Sequence, residues 1–380
     1  MSAPQTIGII GGGQLGRMMA LDAKRMGYDV IVLDPVVRSP CGQVADEQIV
    51  AGYDDLEAIG ELGRRCDIVT YEFENIAIAS VERLEERGFA VTPSSRVLRI
   101  TQDRLQEKRF ARERGIATAD FAPVAWSADI DAAIAGVGFP AILKTTRGGY
   151  DGKGQWRVDD RASAERAVEE AGSAQLIWER MIPFERELSV VATRGADGTV
   201  VSYPPGENHH VDGILAMTIA PAGVAAEVVE RARAIATSVG DGLEIVGTYC
   251  VELFLLADGE LLLNEIAPRP HNSGHYTMDA CAGSQYEQHI RAICGLPLCE
   301  QRLRSGAVMM NVLGAGRGNV LTGTRALLAD PDIVLHFYGK RHAVARRKMG
   351  HFTLLVDGTP GEKEIARALE AHARLGWAQA

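Results

Sequence analysis

The chain has 380 residues, with 40 Lys plus Arg against 50 Asp plus Glu, for a formal net charge of −10. Hydrophobic residues make up 46% and charged residues 24%, which excludes a collagen, a disulfide miniprotein and a disordered chain. The acidic balance argues against general nucleic-acid binding, because nothing offsets phosphate repulsion over the whole surface. At about 150 residues per domain, the length predicts two or three domains. No run of about 18 apolar residues is present, so no membrane-spanning helix is expected. The start shows neither a basic segment nor a small-residue cleavage site, so no secretory signal is expected, and a cytoplasmic location follows. The six cysteines, Cys41, Cys66, Cys250, Cys281, Cys294 and Cys299, form no CxxC pair and predict free thiols.

The first strand is Thr6–Ile10, short, apolar and β-branched. A glycine turn follows, Gly11-x-Gly13-x-x-Gly16. Leu15, Met18, Met19, Ala23 and Met26 then recur on one helical face, with Gly27 as the stop. Residues 30–33 read as the next strand, ending at Asp34. Residues 67–71 read as another, and 90–91 as a short one before Pro93. Strands alternating with helices predict a parallel sheet with helices outside. Residues 103–114 predict a charged amphipathic helix ended by Gly115. From Ala141 the chain reads as hairpins: PAILK, a glycine-rich loop and QWRV; LSVVATRG and TVVSYP; YCVELFLL and LLLNE. Asp-Gly between apolar runs is a hairpin signal. From about Ser305 come short strands and a final helix over 361–374. The expected fold class is α/β followed by α+β, divided as 1–101, 102–304 and 305–380.

Four constellations carry chemistry. The Gly11–Gly16 turn sits between strand and helix, with Asp34 near the spacing of a ribose-binding acid. It fits a dinucleotide, a tight turn that only packs helix on strand, or another phosphate at the helix N-terminus. Residues 148–154 hold four glycines in seven, after Lys144. Such a loop folds backbone N–H groups over a polyphosphate, with the lysine as its cation. It is not a Walker loop.

The third is Glu252 with Glu265. With Asp258-Gly259 at the turn, residue 257 faces 260, and Glu252 then faces Glu265. Opposed Cβ atoms lie about 4.5–5.5 Å apart, and like charges there are destabilising. Two partly buried carboxylates at that distance need a shared proton or a cation. Magnesium bridged to nucleotide phosphates fits, with Asn264 as a further oxygen ligand. The fourth is Pro268 to His275. His271 and His275 are four apart, but two prolines and Asn-Ser-Gly oppose the helix a zinc pair needs. An anion-binding loop fits better, its Arg and His stabilising charge on a transferred group. The late basic run, Lys340-Arg341-His342 and Arg346-Arg347-Lys348, is a solvated face or a second anion pocket.

Together these residues resemble the ATP-grasp ligases, and within them the 5-(carboxyamino)imidazole ribonucleotide synthetases of purine biosynthesis. GGGQLGRM (11–18), YEFEN (71–75), GGYDGKGQW (148–156), NEIAPRPHNSGH (264–275) and YGK…RKMGH (338–351) match in order. The resemblance implies a Rossmann-like substrate-binding domain over 1–101. It implies an ATP-grasp domain over 102–304, with a lid subdomain at about 118–182, and a small C-terminal domain. It places Arg104 and Lys144 on ATP phosphates, and Gly149, Tyr150, Asp151, Gly152, Lys153, Gly154 and Gln155 in the lid loop. Glu179, Arg180, Met181 and Ile182 would line the adenine. Glu187 would hold the ribose, with His210 in the nucleotide pocket.

Glu252 and Glu265 would bind magnesium, one ion or two, with Asn264 beside the nucleotide. Gln14, Leu15, Glu74, Lys340, Arg347 and Lys348 would surround the ribonucleotide, together with Tyr150 and Asp151. Arg269, His271 and Asn272 would face the reacting carboxylate. The family commonly carries another arginine where Val344 stands here, so either Arg346 substitutes or a phosphate contact is missing.

The implied substrates are ATP, bicarbonate and 5-aminoimidazole ribonucleotide, with no NAD, biotin, nucleic acid or membrane, in a homodimer. The alternatives are a sister ligase using formate and glycinamide ribonucleotide, and a NAD-dependent enzyme resting on the first glycine turn alone.

Overall fold

In the computed structural model, which describes residues 5–149 and 154–379, the alternating N-terminal pattern forms a parallel sheet. Strands β1 (Thr6–Ile10), β2 (Asp29–Leu33), β3 (Glu47–Ile49) and β4 (Ile68–Tyr71) run in the order β3-β2-β1-β4, all pairings parallel. Helices α1 (Gln14–Arg25) and α2 (Leu56–Arg65) are the crossovers that parallel neighbours require. α1 buries Leu15, Met18, Met19 and Ala23 against Ile7, Ile9, Val30 and Val32. On the other face α2 and α3 (Ile78–Glu86) bury Ile59, Leu62, Val81 and Leu84. The strand expected at 90–91 is only a single bridge, Val69 to Val91. Pro93 withholds the N–H that a longer ladder would use.

α4 (Ser95–Thr101) leads to α5 (Arg104–Glu113), the charged helix read in the sequence. Asp103 caps it by accepting from the Leu105 and Gln106 amides, and Gly115 turns past its end with φ 69°. A small antiparallel sheet follows. Its strands are β5 (Phe121–Val124), β6 (Ala141–Thr145), β7 (Gln155–Val158) and β8 (Leu176–Arg180), in the order β5-β8-β6-β7. Helices α6 (Ile130–Gly136) and α7 (Arg161–Ala171) close its own core around Leu143, Val158 and Trp178. The glycine loop joins β6 to β7 as the sequence predicts.

The large sheet begins with β9 (Arg186–Arg194), β10 (Val200–Ser202), β11 (Gly206–Val211) and β12 (Ile214–Ala220). Helix α8 (Ala226–Leu243) covers one face through Val228, Ala232, Ala236 and Val239. Then come β13 (Gly247–Leu255), β14 (Leu261–Ala267), α9 (Thr277–Ala280) and α10 (Gln285–Ile293). The C-terminal segment adds β15 (Gly306–Leu313), β16 (Val320–Thr322), α11 (Thr324–Leu327), β17 (Ile333–Phe337), β18 (Lys348–Val356), α12 (Glu362–Ala373) and β19 (Gly376–Ala378). The sheet order is β14-β13-β9-β11-β12-β15-β18-β17, with β10 on β9. β15 pairs with β12, so the sheet runs unbroken through residue 305. The final helix expected over 361–374 is α12 with its two caps.

Candidate active site

The β13–β14 hairpin places the two acids. Its register at the turn is one residue away from the expected one: Leu255 faces Leu261, and the Leu256 amide donates to the Glu260 carbonyl. Gly259, at φ 84°, makes this a three-residue turn. A bulge then leaves Asn264 unpaired and returns Glu252 to its place opposite Glu265. The expected pairing is correct because two one-residue departures cancel. A bulge re-aims side chains, and here Glu252, Asn264 and Glu265 all line one cavity of about 390 Å³. Burial, reinforced by the Glu265 charge, pushes the Glu252 carboxyl well above its ordinary range. A cation between the two would relieve both costs.

The cavity gathers most of the expected residues. Of the residues expected on the nucleotide, Arg104, Lys144, Gly149, Gln155, Glu187 and His210 line it. Arg104 donates to the Thr145 carbonyl at 2.9 Å and the Gly149 carbonyl at 3.0 Å, tying down the base of the glycine loop. Lys144 is not a lone cation, because it pairs with Glu179 at 2.7 Å. Burial opposes ionisation of Glu179, yet the Lys144 and Lys108 ammonium groups hold its carboxyl down at about 2. His210 Nδ1 lies 3.2 Å from Glu187.

Gly154, Glu179, Arg180, Met181 and Ile182 do not line this cavity. Arg180 instead pairs with Asp120, and the Met181 amide donates to the Pro140 carbonyl. Tyr150, Asp151, Gly152 and Lys153 lie outside the described residues.

The same cavity is lined by Gln14, Leu15, Glu74 and Lys348 and by Arg269, His271 and Asn272. Arg269 grips Glu74 through two nitrogens, one at 3.0 Å, joining the central sheet to the N-terminal domain. His271 has Nε2 3.4 Å from Glu252 and Nδ1 2.8 Å from the Ser273 hydroxyl. Burial, then the Arg269 charge, depresses its basicity, so the ring is neutral at pH 7. Both side-chain polar atoms of buried Asn272 lack a partner among the described residues. A buried amide in that state suits a polar ligand.

Lys340 donates to Gln14 Oε1 at 2.7 Å and to the Lys348 carbonyl at 2.6 Å. Burial, then the nearby Arg347 charge, pushes Lys340 down to about 7. Arg347 itself is exposed and does not line the cavity. Arg346 donates to the Asp212 carbonyl at 2.6 Å, and Val344 is exposed, so Arg346 does not take the missing arginine's place in this structure.

The sequence leaves three readings of the glycine turn open, and in the structure several of its amides already have partners within the chain. The Gly12 amide donates to Asp34 at 2.7 Å, and the Gly13 and Gly16 amides donate to Glu72, the latter at 2.8 Å. A Cβ on Gly11 would stand 2.5 Å from Glu72 Cγ. These glycines make room for the chain's own carboxylates. Nor is Asp34 exposed as a ribose ligand would be: it is 4% exposed and also accepts from the Val36 amide and the Tyr53 hydroxyl. Asp34→Ala leaves buried donors without an acceptor and is expected to cost about 1–3 kcal/mol of stability. An unchanged denaturation midpoint would contradict this role.

The sequence reading passed over Glu72, although YEFEN contains it, and Phe254, two residues from Glu252 on the same strand face. Gly213 and Leu215 of the β11–β12 hairpin also line the cavity, and their signal was present: Asp212-Gly213, both at positive φ, turns the chain into the apolar run of β12.

Among the described residues, Asp279, His336 and His351 form a separate group with metal-ligand chemistry. The two imidazoles stack at 4.7 Å and 19°. Their lone pairs lie in the ring planes and so run side by side. They do not converge on one point, and the Asp279–His336 contact at 3.0 Å reads as a hydrogen-bonded pair.

Comparison with known proteins bears on the whole assembly. Residues 4–102 match the ribonucleotide synthetase preATP-grasp domain, 109–286 the ATP-grasp domain, and 307–360 the phosphoribosylaminoimidazole carboxylase C-terminal domain. The N5-carboxyaminoimidazole ribonucleotide synthase of Bacillus subtilis is 44% identical over 353 residues, covering 92% of this chain and 91% of that one. The protein of the same name from Brucella melitensis is 46% identical, covering 92% and 95%.

The chain belongs to the N5-carboxyaminoimidazole ribonucleotide synthase family. A solved synthetase of this family in complex with ADP superposes with a TM-score of 0.92 at 47% identity, covering 98% of this chain and 97% of that one. The Aspergillus clavatus synthase, solved with ADP and 5-aminoimidazole ribonucleotide, gives 0.90 at 31% identity, covering 98% and 100%. The ATP-grasp architecture implied by the resemblance is therefore the fold of this synthase family member.

Proposed function

We propose that the chain carboxylates 5-aminoimidazole ribonucleotide with bicarbonate, at the expense of one ATP. The observation that carries this reading is the opposed pair Glu252 and Glu265, in one cavity with Lys144, Arg104, Gln14 and Lys348. A bicarbonate oxygen attacks the γ-phosphorus of ATP and ADP leaves, giving carboxyphosphate. The exocyclic amine then attacks the carboxyl carbon, or CO₂ released from it, phosphate departs, and the nitrogen loses a proton. Arg104 and Lys144 hold the transferred phosphoryl group, while Arg269 and Asn272 orient the carboxylate. The glycine loop excludes water from the hydrolysable intermediate.

Glu252, Glu265 and Asn264 fit magnesium: hard oxygen donors around a buried like-charge pair. The ion would supply charge neutralisation on the phosphates. Without it the acids are costly. Burial, then Glu265, also pushes Glu107 up to about 8. Acids raised in the fold keep protons that the unfolded chain has lost, so the contribution of these acids to stability falls as pH rises from about 4.5 to about 8. Magnesium with ATP is expected to offset that contribution, as followed by thermal unfolding of the chain and of Glu265→Gln across this window. A pH dependence of stability that Glu265→Gln leaves unchanged would contradict the buried acid pair.

We extend the reading to a cytoplasmic homodimer, as the family resemblance implies; sedimentation of the purified chain as a monomer would remove the dimer. We also retain 1–101, 102–304 and 305–380 as the functional divisions.

A further inference from the structure

The bulge that aims Asn264 and Glu265 lies on β14, the outermost strand of the large sheet. An edge strand has backbone groups with no ladder partner, and a bulge weakens pairing further. Here the edge is covered by α5 and the segment after it. The Lys108 ammonium donates to the Leu263 carbonyl at 3.0 Å and to the Asn264 carbonyl at 2.9 Å. Glu107 accepts from the Ile266 amide at 2.6 Å. Thr118 donates to the Leu263 carbonyl at 2.8 Å, and the Leu263 amide donates to the Ala117 carbonyl. Lys108 is 2% exposed and Glu107 1%. A buried ammonium is expensive, and two neutral carbonyls do not repay its desolvation. A hydroxyl or amide would satisfy the same carbonyls at lower cost. The charge itself therefore has a use, and the carboxylates within its electrostatic reach are Glu179, Glu107 and Glu265, the last beside the bulge.

We propose that Lys108 is a positioning residue that clamps the Asn264 bulge from behind, so that Asn264 and Glu265 face Glu252 in the geometry a divalent cation with nucleotide requires. This rests on the proposed magnesium site. Lys108 touches no reacting atom; it acts through β14. The positive charge behind the strand also offsets the repulsion between Glu265 and Glu252 before the cation arrives.

The test is nucleotide binding by calorimetry, with and without magnesium, on the full chain. Lys108→Met keeps the length of the side chain and removes the charge and both bonds. Its affinity for ATP with magnesium is expected to fall roughly 10- to 100-fold, the range for residues that orient metal ligands. Its affinity for ATP without magnesium should stay within about twofold. Thr118→Val removes a bond to Leu263 but none to Asn264, and should leave both affinities within about twofold. Equal losses with and without magnesium, or no loss, would overturn the proposal. So would failure of both Lys108→Met and Lys108→Gln to fold, which would make the lysine purely structural. Glu265→Gln separates the two readings. If it retains magnesium-dependent ATP binding, the metal site itself is wrong; if it loses that binding while Lys108→Met does not, only the clamp is wrong.

Discussion

Glu265→Gln is expected to lower turnover by roughly 100-fold or more, the scale on which a positioned charge contributes at a transition state. The substitution removes one charge of the opposed pair and leaves the shape of the side chain. Glu252 then loses its nearest like-charged neighbour and its carboxyl returns toward the ordinary range. The fold should persist and gain stability above pH 7, because the repulsion is present only when both acids are ionised. Circular dichroism and thermal unfolding check the second half, and initial rates at saturating ATP and magnesium check the first. A variant that folds and turns over at near-normal rate would remove the assignment of this hairpin as the cation site.

The second large effect concerns Lys340. Its ammonium bridges Gln14 and the Lys348 carbonyl, so it sits behind two residues that line the cavity without lining it itself. Burial and the Arg347 charge hold it at about 7, well below an ordinary lysine. A ribonucleotide phosphate would pull the proton back. Lys340→Met is expected to raise KM for 5-aminoimidazole ribonucleotide about 10- to 150-fold, the loss of one charge-assisted hydrogen bond. KM for ATP should change by less than about twofold. In the unsubstituted protein, ribonucleotide binding should weaken as pH rises above about 7. In the variant that dependence should flatten. A larger effect on ATP than on ribonucleotide would show that Lys340 serves the other ligand. The exposed position of Arg347 makes Lys340 the stronger test of the ribonucleotide assignment, although both carry that assignment from the sequence.

The fold was legible where one physical pattern dominates. β1, α1 and α5 declare themselves by burial period and caps, and their observed bounds fall within a residue or two of the expected ones. β3 did not, because Glu47-Gln48-Ile49 carries one apolar residue and is a strand only through its pairing with β2. The β11–β12 hairpin was legible by contrast: Asp212-Gly213 before the apolar run of β12 is the same turn signal that marks the other hairpins, although the partners β9 and β15 are not local.

At the site, residue types were readable and their hydrogen-bond partners were not. Glu252 and Glu265 could be paired by counting from a turn, but the bulge that gives Asn264 and Glu265 their direction left no mark in the count. The Gly11–Gly16 turn has the composition of a phosphate loop. Whether its amides are free depends on Asp34 and Glu72, which arrive from two other strands. Lys108 looked like one more charge on a charged helix. Only the course of β14 behind it shows why that charge is buried.

The central claim is that one cavity couples ATP cleavage to carboxylation of a ribonucleotide amine. The most direct measurement is ADP release by the purified chain with magnesium and ATP, with bicarbonate and 5-aminoimidazole ribonucleotide each omitted in turn. The account predicts that rapid ADP release needs the ribonucleotide and bicarbonate together, with one carboxylated ribonucleotide formed per ADP. ADP release that ignores both, or that instead responds to formate with glycinamide ribonucleotide, would contradict it.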